Sequence, residues 1–322
     1  GRSYTRFLPS LNFQLTPADS VVLRFSYNIT LDQPSFFALR AAGEASARIS
    51  STPPVLDGFT TSSGNPQLLP IISRNSDFSA EWYPSKSTVA HLALFHKSIE
   101  NWIIYGAANQ PVPITYTSPI QETVIEIAQS SNYFNSTEKA TVKGVEVGGR
   151  TFFDRLPAPF DGLGFEANYT YVDSKNPGDR YFDIFGNERT DVPVQGLSKH
   201  NYNVTAMYEK GPYSVRLAYS WRSEYLMSTN SNGTNGDYTY YSAPGVGTFT
   251  DISLPIYSDD YGSLDFGGTF RPNDQMSFSL EFSNLTDELA KTLQGGYPDG
   301  KKYIRSWFIS DRRANFSVRY NF

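Results

Sequence analysis

The last eight residues, Asn315-Phe316-Ser317-Val318-Arg319-Tyr320-Asn321-Phe322, alternate polar and apolar without a break and stop on an aromatic ring. Successive side chains of a strand point to opposite faces, so Phe316, Val318, Tyr320 and Phe322 share one face and Asn315, Ser317, Arg319 and Asn321 the other. A two-faced strand at the very end of a chain needs an apolar phase on its greasy side. That phase is either a protein core or a lipid bilayer.

The same period of two recurs along the chain. Leu11, Phe13 and Leu15 form one apolar row, and Val21, Leu23, Phe25, Tyr27 and Ile29 form the next after a tight turn. Later rows are Phe78-Ala80-Trp82, a strand from Val142 to Phe153, Leu163 to Tyr171, Tyr202 to Tyr208, Tyr213 to Trp221, Leu264 to Phe270 and Met276 to Phe282. Thr88 to Tyr105 reads as one strand, although apolar residues occupy both parities around Val89 to Phe95. About eleven strands result. Between them, short connections such as Pro84-Ser85-Lys86 and Lys210-Gly211-Pro212 alternate with long loops such as Leu31–Ser73, Gly106–Thr137 and Met227–Tyr257.

Strict alternation places every short turn at one end of a sheet and every long loop at the other. An outer-membrane barrel has this asymmetry, with short periplasmic turns and long external loops. A β-sandwich also supplies amphipathic strands but has no reason to sort its loops by parity. No stretch approaches the roughly 18 consecutive apolar residues of a membrane helix. The fold expected is therefore all-β, an antiparallel transmembrane β-barrel. Eleven strands cannot close antiparallel, and plugged barrels of about 22 strands are known. The chain is expected to begin mid-structure and to be half of such a barrel. Rings near strand ends, namely Trp82, Tyr83, Tyr208, Tyr213, Trp221, Tyr225 and Tyr320, suit interfacial girdles.

Composition narrows the chemistry. Cysteine is absent, which excludes disulfides, thiolate metal sites and cysteine nucleophiles. A net charge of -5 without a lysine or arginine cluster argues against a nucleic-acid partner. His91 and His96 lie five apart, on opposite faces of a strand, and so do not share a metal. Ser198 and His200 lack a third residue to orient the imidazole, so no enzyme is expected. Asp179 and Asp183, and Asp251, Asp259 and Asp260, lack a calcium-loop pattern and read as solvated loop charge. No metal or other cofactor is expected. Gly262, Gly267 and Gly268 precede no helix and read as bends or tight packing.

Several stretches together resemble the C-terminal half of a TonB-dependent outer-membrane receptor, over essentially the whole chain. They are Phe7-Leu8-Pro9-Ser10-Leu11-Asn12, Gly64-Asn65-Pro66-Gln67-Leu68 before Phe78-Ser79-Ala80-Glu81-Trp82-Tyr83, Lys143-Gly144-Val145-Glu146-Val147, Gly164 to Tyr171, Asn284-Leu285-Thr286-Asp287 and the aromatic terminus. The likeness is to the proteobacterial subgroup tied to carbohydrate uptake. That subgroup carries Arg-Pro where this chain has Gln33-Pro34, and an acid after the proline matched by Pro70, where this chain has Ile71.

The resemblance implies residence in the bacterial outer membrane and active import of a scarce nutrient. It implies partners: an oligosaccharide or other small-molecule ligand, the lipid bilayer, the barrel-assembly machinery reading Phe322, and TonB-ExbB-ExbD acting through an N-terminal segment and plug absent from these residues. Residues 1–322 would be the C-terminal portion of the receptor barrel. A ferric-siderophore receptor is the alternative within the same mechanism, and a structural barrel or passive porin lies outside it. Function concentrates on loops held by rigid scaffolds. Tyr238, Tyr240 and Tyr241, beside Asn230, Asn232, Asn235 and Asp237, have rings to stack on a sugar and amide or carboxylate groups to bond it, or they form a self-packed polar loop. Arg222, with Arg216 and Arg319, is placed to guide an anionic ligand from the lumen face.

Overall fold

The computed structural model describes residues 3–50, 55–107, 112–117, 123–229, 236–243, 246–252 and 254–322, except 177, 186, 191 and 298. Only the backbone is described for 45–50, 55–61, 106–107, 112–117, 123–131, 236–243 and 246–252.

Eleven strands form one sheet in which each pairs with the next along the chain. They are β1 (Ser10–Ala18), β2 (Val21–Asp32), β3 (Ile71–Ser85), β4 (Thr88–Glu100), β5 (Ala140–Phe152), β6 (Leu163–Lys175), β7 (His200–Lys210), β8 (Tyr213–Arg222), β9 (Tyr261–Phe270), β10 (Met276–Ser283) and β11 (Arg313–Tyr320). The long connections, residues 33–70, 101–139, 176–199, 223–260 and 284–312, all leave from one end of the sheet. The two-residue turn between β7 and β8 works because Gly211 adopts φ +54°, a left-handed conformation costly for other residues.

The strand registers align the apolar rows from strand to strand. Tyr169 faces Val147 and Tyr202; Leu217 faces Ala206 and Phe266; Phe278 faces Phe270 and Val318. From β5 to β11 one face is thus largely apolar, and the other carries Glu166, Asn168, Asn203, Arg216, Glu281 and Arg319. From Leu163 to Tyr171 the outward row runs about 27 Å along β6. At a tilt of about 40° that is about 20 Å along the normal, close to the ~25 Å apolar band of an outer-membrane barrel.

Aromatic rings collect at both margins. Tyr213 stacks on Phe270 at 5.1 Å at the short-turn end, and Tyr202 stacks on Trp221 at 5.1 Å at the other. Gly262 lets this second belt close, because a Cβ there would lie 2.3 Å from the Tyr219 hydroxyl and 3.1 Å from the Trp221 ring. Two expected girdle residues differ. Tyr83 shares the inward parity of Glu81 and donates to its carboxylate, and Tyr225 stands past the end of β8 with Arg222 over its ring.

The expected strand from Thr88 to Tyr105 breaks at Asn101, whose φ is +59° and whose Nδ2 donates to the Pro70 carbonyl at 3.1 Å. The chain then enters a separate sheet. The expected loops carry strands of their own: Gly43–Ser50, Val55–Ser63, Ile103–Ala107 and Thr123–Asn135 form one sheet path, with Val112–Thr117 paired to the last. Tyr225–Ser228, Ile256–Ser258, Leu289–Gln294 and Tyr303–Ile309 form another, and Gly236–Ala243 pairs with Val246–Ile252.

The chain divides into two compact units. One comprises 1–10, 28–74 and 98–140, and the other 11–27, 75–97 and 141–322. In the first, the short helix α1 (Phe36–Leu39) is capped by the Ser35 hydroxyl, which accepts from the Ala38 N–H, and Ala38 and Leu68 are buried. In the second, Val192, Leu226 and Ile256, all within the long connections, are buried.

Candidate functional site

The inward face of the wall is built from complementary polar pairs. Arg24 on β2 pairs with Glu81 on β3, and the Tyr83 hydroxyl donates to the same carboxylate at 2.6 Å. Ser26 donates to Asp77 at 3.2 Å, His91 lies 3.4 Å from Glu146, and Asn203 donates to Asn168 at 2.9 Å. Pairs open to solvent contribute little stability each. They fix a hydrogen-bonding surface rather than a store of stability. A concavity of about 810 Å³ lies over β1–β6, lined among others by Asn12, Arg24, Asp77, Phe95 and Glu146.

Beyond the wall, the second unit holds a layer of loop strands pinned by charge. The Arg222 guanidinium donates to the Ser258 hydroxyl at 2.8 Å and the Asp259 carbonyl at 3.0 Å, and lies 4.7 Å from the Tyr225 ring centroid. Burial, with Asp260 alongside, raises the Asp259 carboxyl above its ordinary range, and Lys291 at 3.8 Å offsets this in part. Burial likewise raises the Tyr257 phenol, whose ring receives the Lys302 amine at 4.0 Å. Lys302 in turn pairs with Glu224.

Asp183 is the centre of a knot in the loop after β6. Its Oδ1 accepts from the N–H groups of Phe185 and Asn187, both at 3.0 Å, and its Oδ2 from Arg189 at 3.2 Å. Burial raises its pKa, the donors lower it more, and the net shift is downward. Asp179 accepts from Thr229 at 3.0 Å and from Gln195. Both carboxylates thus spend their lone pairs on protein donors, the arrangement of a braced loop.

Among the expected ligand residues, Arg222 holds the Ile256–Ser258 strand and Asp259 to the end of β8. Asp237, Tyr238, Tyr240 and Tyr241 lie on the Gly236–Ala243 strand, opposite Asp251, Thr250, Thr248 and Gly247. Asn230, Asn232 and Asn235 lie outside the described residues. His200 turns away from Ser198: its Nδ1 pairs with the Tyr169 hydroxyl at 2.8 Å on the outward row. Phe322 follows the end of β11, is fully exposed, and meets Tyr320 edge-on at 5.1 Å.

A ring cluster in the first unit is absent from the sequence reading. Tyr105 and Tyr133 face each other across paired strands at 4.8 Å, Phe37 meets Tyr133 edge-on at 6.3 Å, and the Arg40 guanidinium covers Phe37 at 4.1 Å. The alternation of Ile103 and Tyr105 is its one sequence signal, and it runs on from the apolar residues of β4 with only two residues between.

The family model described as TonB dependent receptor-like, beta-barrel matches residues 1–285. This chain belongs to the TonB-dependent receptor β-barrel family. Such receptors are outer-membrane β-barrels that transport rather than catalyse. The siderophore receptor PirA of Acinetobacter baumannii aligns with a TM-score of 0.66 at 16% identity, over 98% of this chain and 41% of that one. A mutant of the ferric enterobactin receptor PfeA of Pseudomonas aeruginosa aligns at 0.60 and 18%, over 97% and 39%. The copper transporter OprC aligns at 0.56 and 14%, over 97% and 39%. At such identities the likeness is one of fold, and the chain spans about two-fifths of each of these structures. No curated protein matches the chain by sequence.

Proposed function

We propose that residues 1–322 are the C-terminal part of the barrel of a TonB-dependent importer that takes up an oligosaccharide across the outer membrane. The observation that carries this reading is an eleven-strand wall, polar on one face, whose long connections build folded sheets of their own. A passive pore needs no such outer layer; a receptor that holds a scarce ligand before release does. In this reading the external layer binds, the inward polar face packs a plug, and TonB-ExbB-ExbD drive the plug from the inner membrane. The Gly236–Ala243 hairpin, with Tyr238, Tyr240, Tyr241 and Asp237 and the preceding Asn230 and Asn232, contributes stacking rings and sugar-bonding groups, and Arg222 braces its base. Phe322 serves the assembly machinery as an aromatic terminus.

Ferric-siderophore uptake is the second reading, favoured by the likeness in fold to the siderophore receptors PirA and PfeA. The test is uptake by cells expressing the full-length receptor, with and without TonB, of a labelled oligosaccharide panel and of ferric enterobactin. TonB-dependent sugar uptake that falls at least tenfold on changing Tyr238, Tyr240 and Tyr241 together to Ala supports the first reading. TonB-dependent iron uptake alone replaces it with the second, and uptake indifferent to TonB removes both.

A further inference from the structure

At the short-turn end of the wall one connection is unlike the rest. Four of the turns there span two to five residues, whereas the one between β5 and β6 spans ten, 153–162. It is folded against the wall. A single 3₁₀ turn (Phe160–Gly162) closes it, and Gly162 presses on the end of β7, where a Cβ would lie 2.7 Å from the Glu209 carbonyl oxygen and 2.8 Å from the Lys210 Cβ.

The turn leans to the outward side. The hydroxyl of Tyr208, a ring of the outward row, donates to the Pro159 carbonyl at 3.2 Å, and Lys210, of the same parity, pairs with Asp161. Phe153 opens the segment on the parity of Val145 and Val147, which is outward, and its N–H donates to Leu163. Phe153, Leu156 and Phe160 are all exposed. The apolar outward surface therefore continues past the last strand residues onto the turn, at the end of the barrel that faces the periplasm.

The backbone of the turn suits a boundary between water and lipid. A peptide group with no partner is what keeps a loop out of an apolar phase. Here the N–H of Phe153 donates to the Leu163 carbonyl at 2.8 Å, that of Leu156 to the Phe153 carbonyl at 3.0 Å and that of Phe160 to the Pro157 carbonyl at 2.9 Å. Pro157 and Pro159 have no N–H to satisfy. The acids are matched as well: Asp161 by Lys210, and Asp154 by the Ser87 hydroxyl, which donates to it at 2.9 Å. Arg155 is exposed, and its stem is long enough to lie on apolar surface while its charge stays in the interface.

We propose that residues 153–162 form an interfacial anchor, with Leu156 and Phe160 seated at the acyl margin of the periplasmic phospholipid leaflet and Arg155 against its phosphates. The lipid surface that covers the turn is continuous with the one the outward row already meets. The anchor rests on the outward face being the lipid face and not on what the receptor transports.

The test uses the full-length receptor with a single fluorescent label on a cysteine introduced at Ala158, between the two anchoring side chains, reconstituted into phosphatidylethanolamine–phosphatidylglycerol vesicles. Labels at Asp274, in the β9–β10 turn, and at Leu217, in the wall, give the water and hydrocarbon limits. Heat-modifiable gel mobility establishes that each protein is folded. Quenching by lipids brominated near the headgroup end of the acyl chain is compared with quenching by iodide present on both sides of the bilayer. Bromine quenching at 158 roughly threefold or more above that at 274, falling to the 274 level in Leu156→Ser/Phe160→Ser, supports the anchor. Bromine and iodide quenching at 158 equal to those at 274, while the label at 217 responds to bromine, overturns it, and a periplasmic protein then becomes the partner of the turn. Bromine quenching at 158 that the folded double variant leaves unchanged also overturns it. A label at 217 that ignores bromine refutes the assignment of faces, and the anchor with it.

Discussion

Exchanging the chemistry of two adjacent residues on β8 tests which face of the wall meets lipid. Leu217 lies on the outward row, four residues from Tyr213 at one belt and four from Trp221 at the other, about 13 Å along the strand in each direction. It is therefore at the bilayer midplane, between Ala206 and Phe266. An arginine on the lipid face at the midplane costs about 2–4 kcal/mol. Leu217→Arg should lower the folded-to-unfolded ratio by about 30- to 700-fold. Arg216, its neighbour of opposite parity, already carries a guanidinium at the same depth, so the reverse change, Arg216→Leu, should cost less than about 1 kcal/mol. The assay is the folding of the full-length receptor into phospholipid vesicles across a urea series, scored by heat-modifiable gel mobility. Equal costs for the two changes, or a larger one for Arg216→Leu, would refute the assignment of faces.

Other expectations follow from single contacts. At Gly144 a Cβ would lie 2.2 Å from the Tyr171 carbonyl oxygen, a backbone atom with nowhere to go, so Gly144→Ala should destabilise the receptor by about 1–3 kcal/mol in the same urea series. Asp183 has a folded pKa depressed below its ordinary 3.8, so its stabilisation is present above that value and lost as pH falls through the lower one. Proteolysis within residues 176–199 should accelerate over that acid window, and Asp183→Asn should cut readily at neutral pH and lose the acid step. Phe322→Ala should slow assembly in cells, followed by pulse-chase, while leaving the stability of receptor that has assembled within about 0.5 kcal/mol; unchanged assembly would remove its signalling role.

How much of this was legible depended on what forced the pattern. In the wall, lipid on one side and water or plug on the other impose strict alternation, so rows such as Leu163 to Tyr171 and Met276 to Phe282 could be read directly. Loop parity then gave the sheet order. The outer layer obeys no such rule. Its strands pair loop with loop, as Ile256–Ser258 does with Leu289–Gln294, and neither segment announces a partner so distant in sequence. Asn101 breaks β4 through a left-handed turn and a bond to Pro70, a tertiary contact invisible in a local window. Arg222 has the right residue type for an anionic ligand, yet its position beside Ser258 and Asp259 commits two of its donors to the fold. His200 looked like half of a dyad and proved to be part of the outward aromatic belt, because register rather than proximity in sequence chooses its neighbour.

Site-directed spin labelling along β11 in the full-length receptor, reconstituted in vesicles, tests the central claim most directly. Single labels at 315 through 320 are compared for accessibility to dissolved oxygen and to a water-soluble nickel complex. A lipid-facing row predicts high oxygen and low nickel accessibility at Phe316, Val318 and Tyr320, with Asn315, Ser317 and Arg319 shielded from oxygen. An accessibility profile without the period of two, or with the two sets exchanged, would contradict a barrel wall with this face in the membrane.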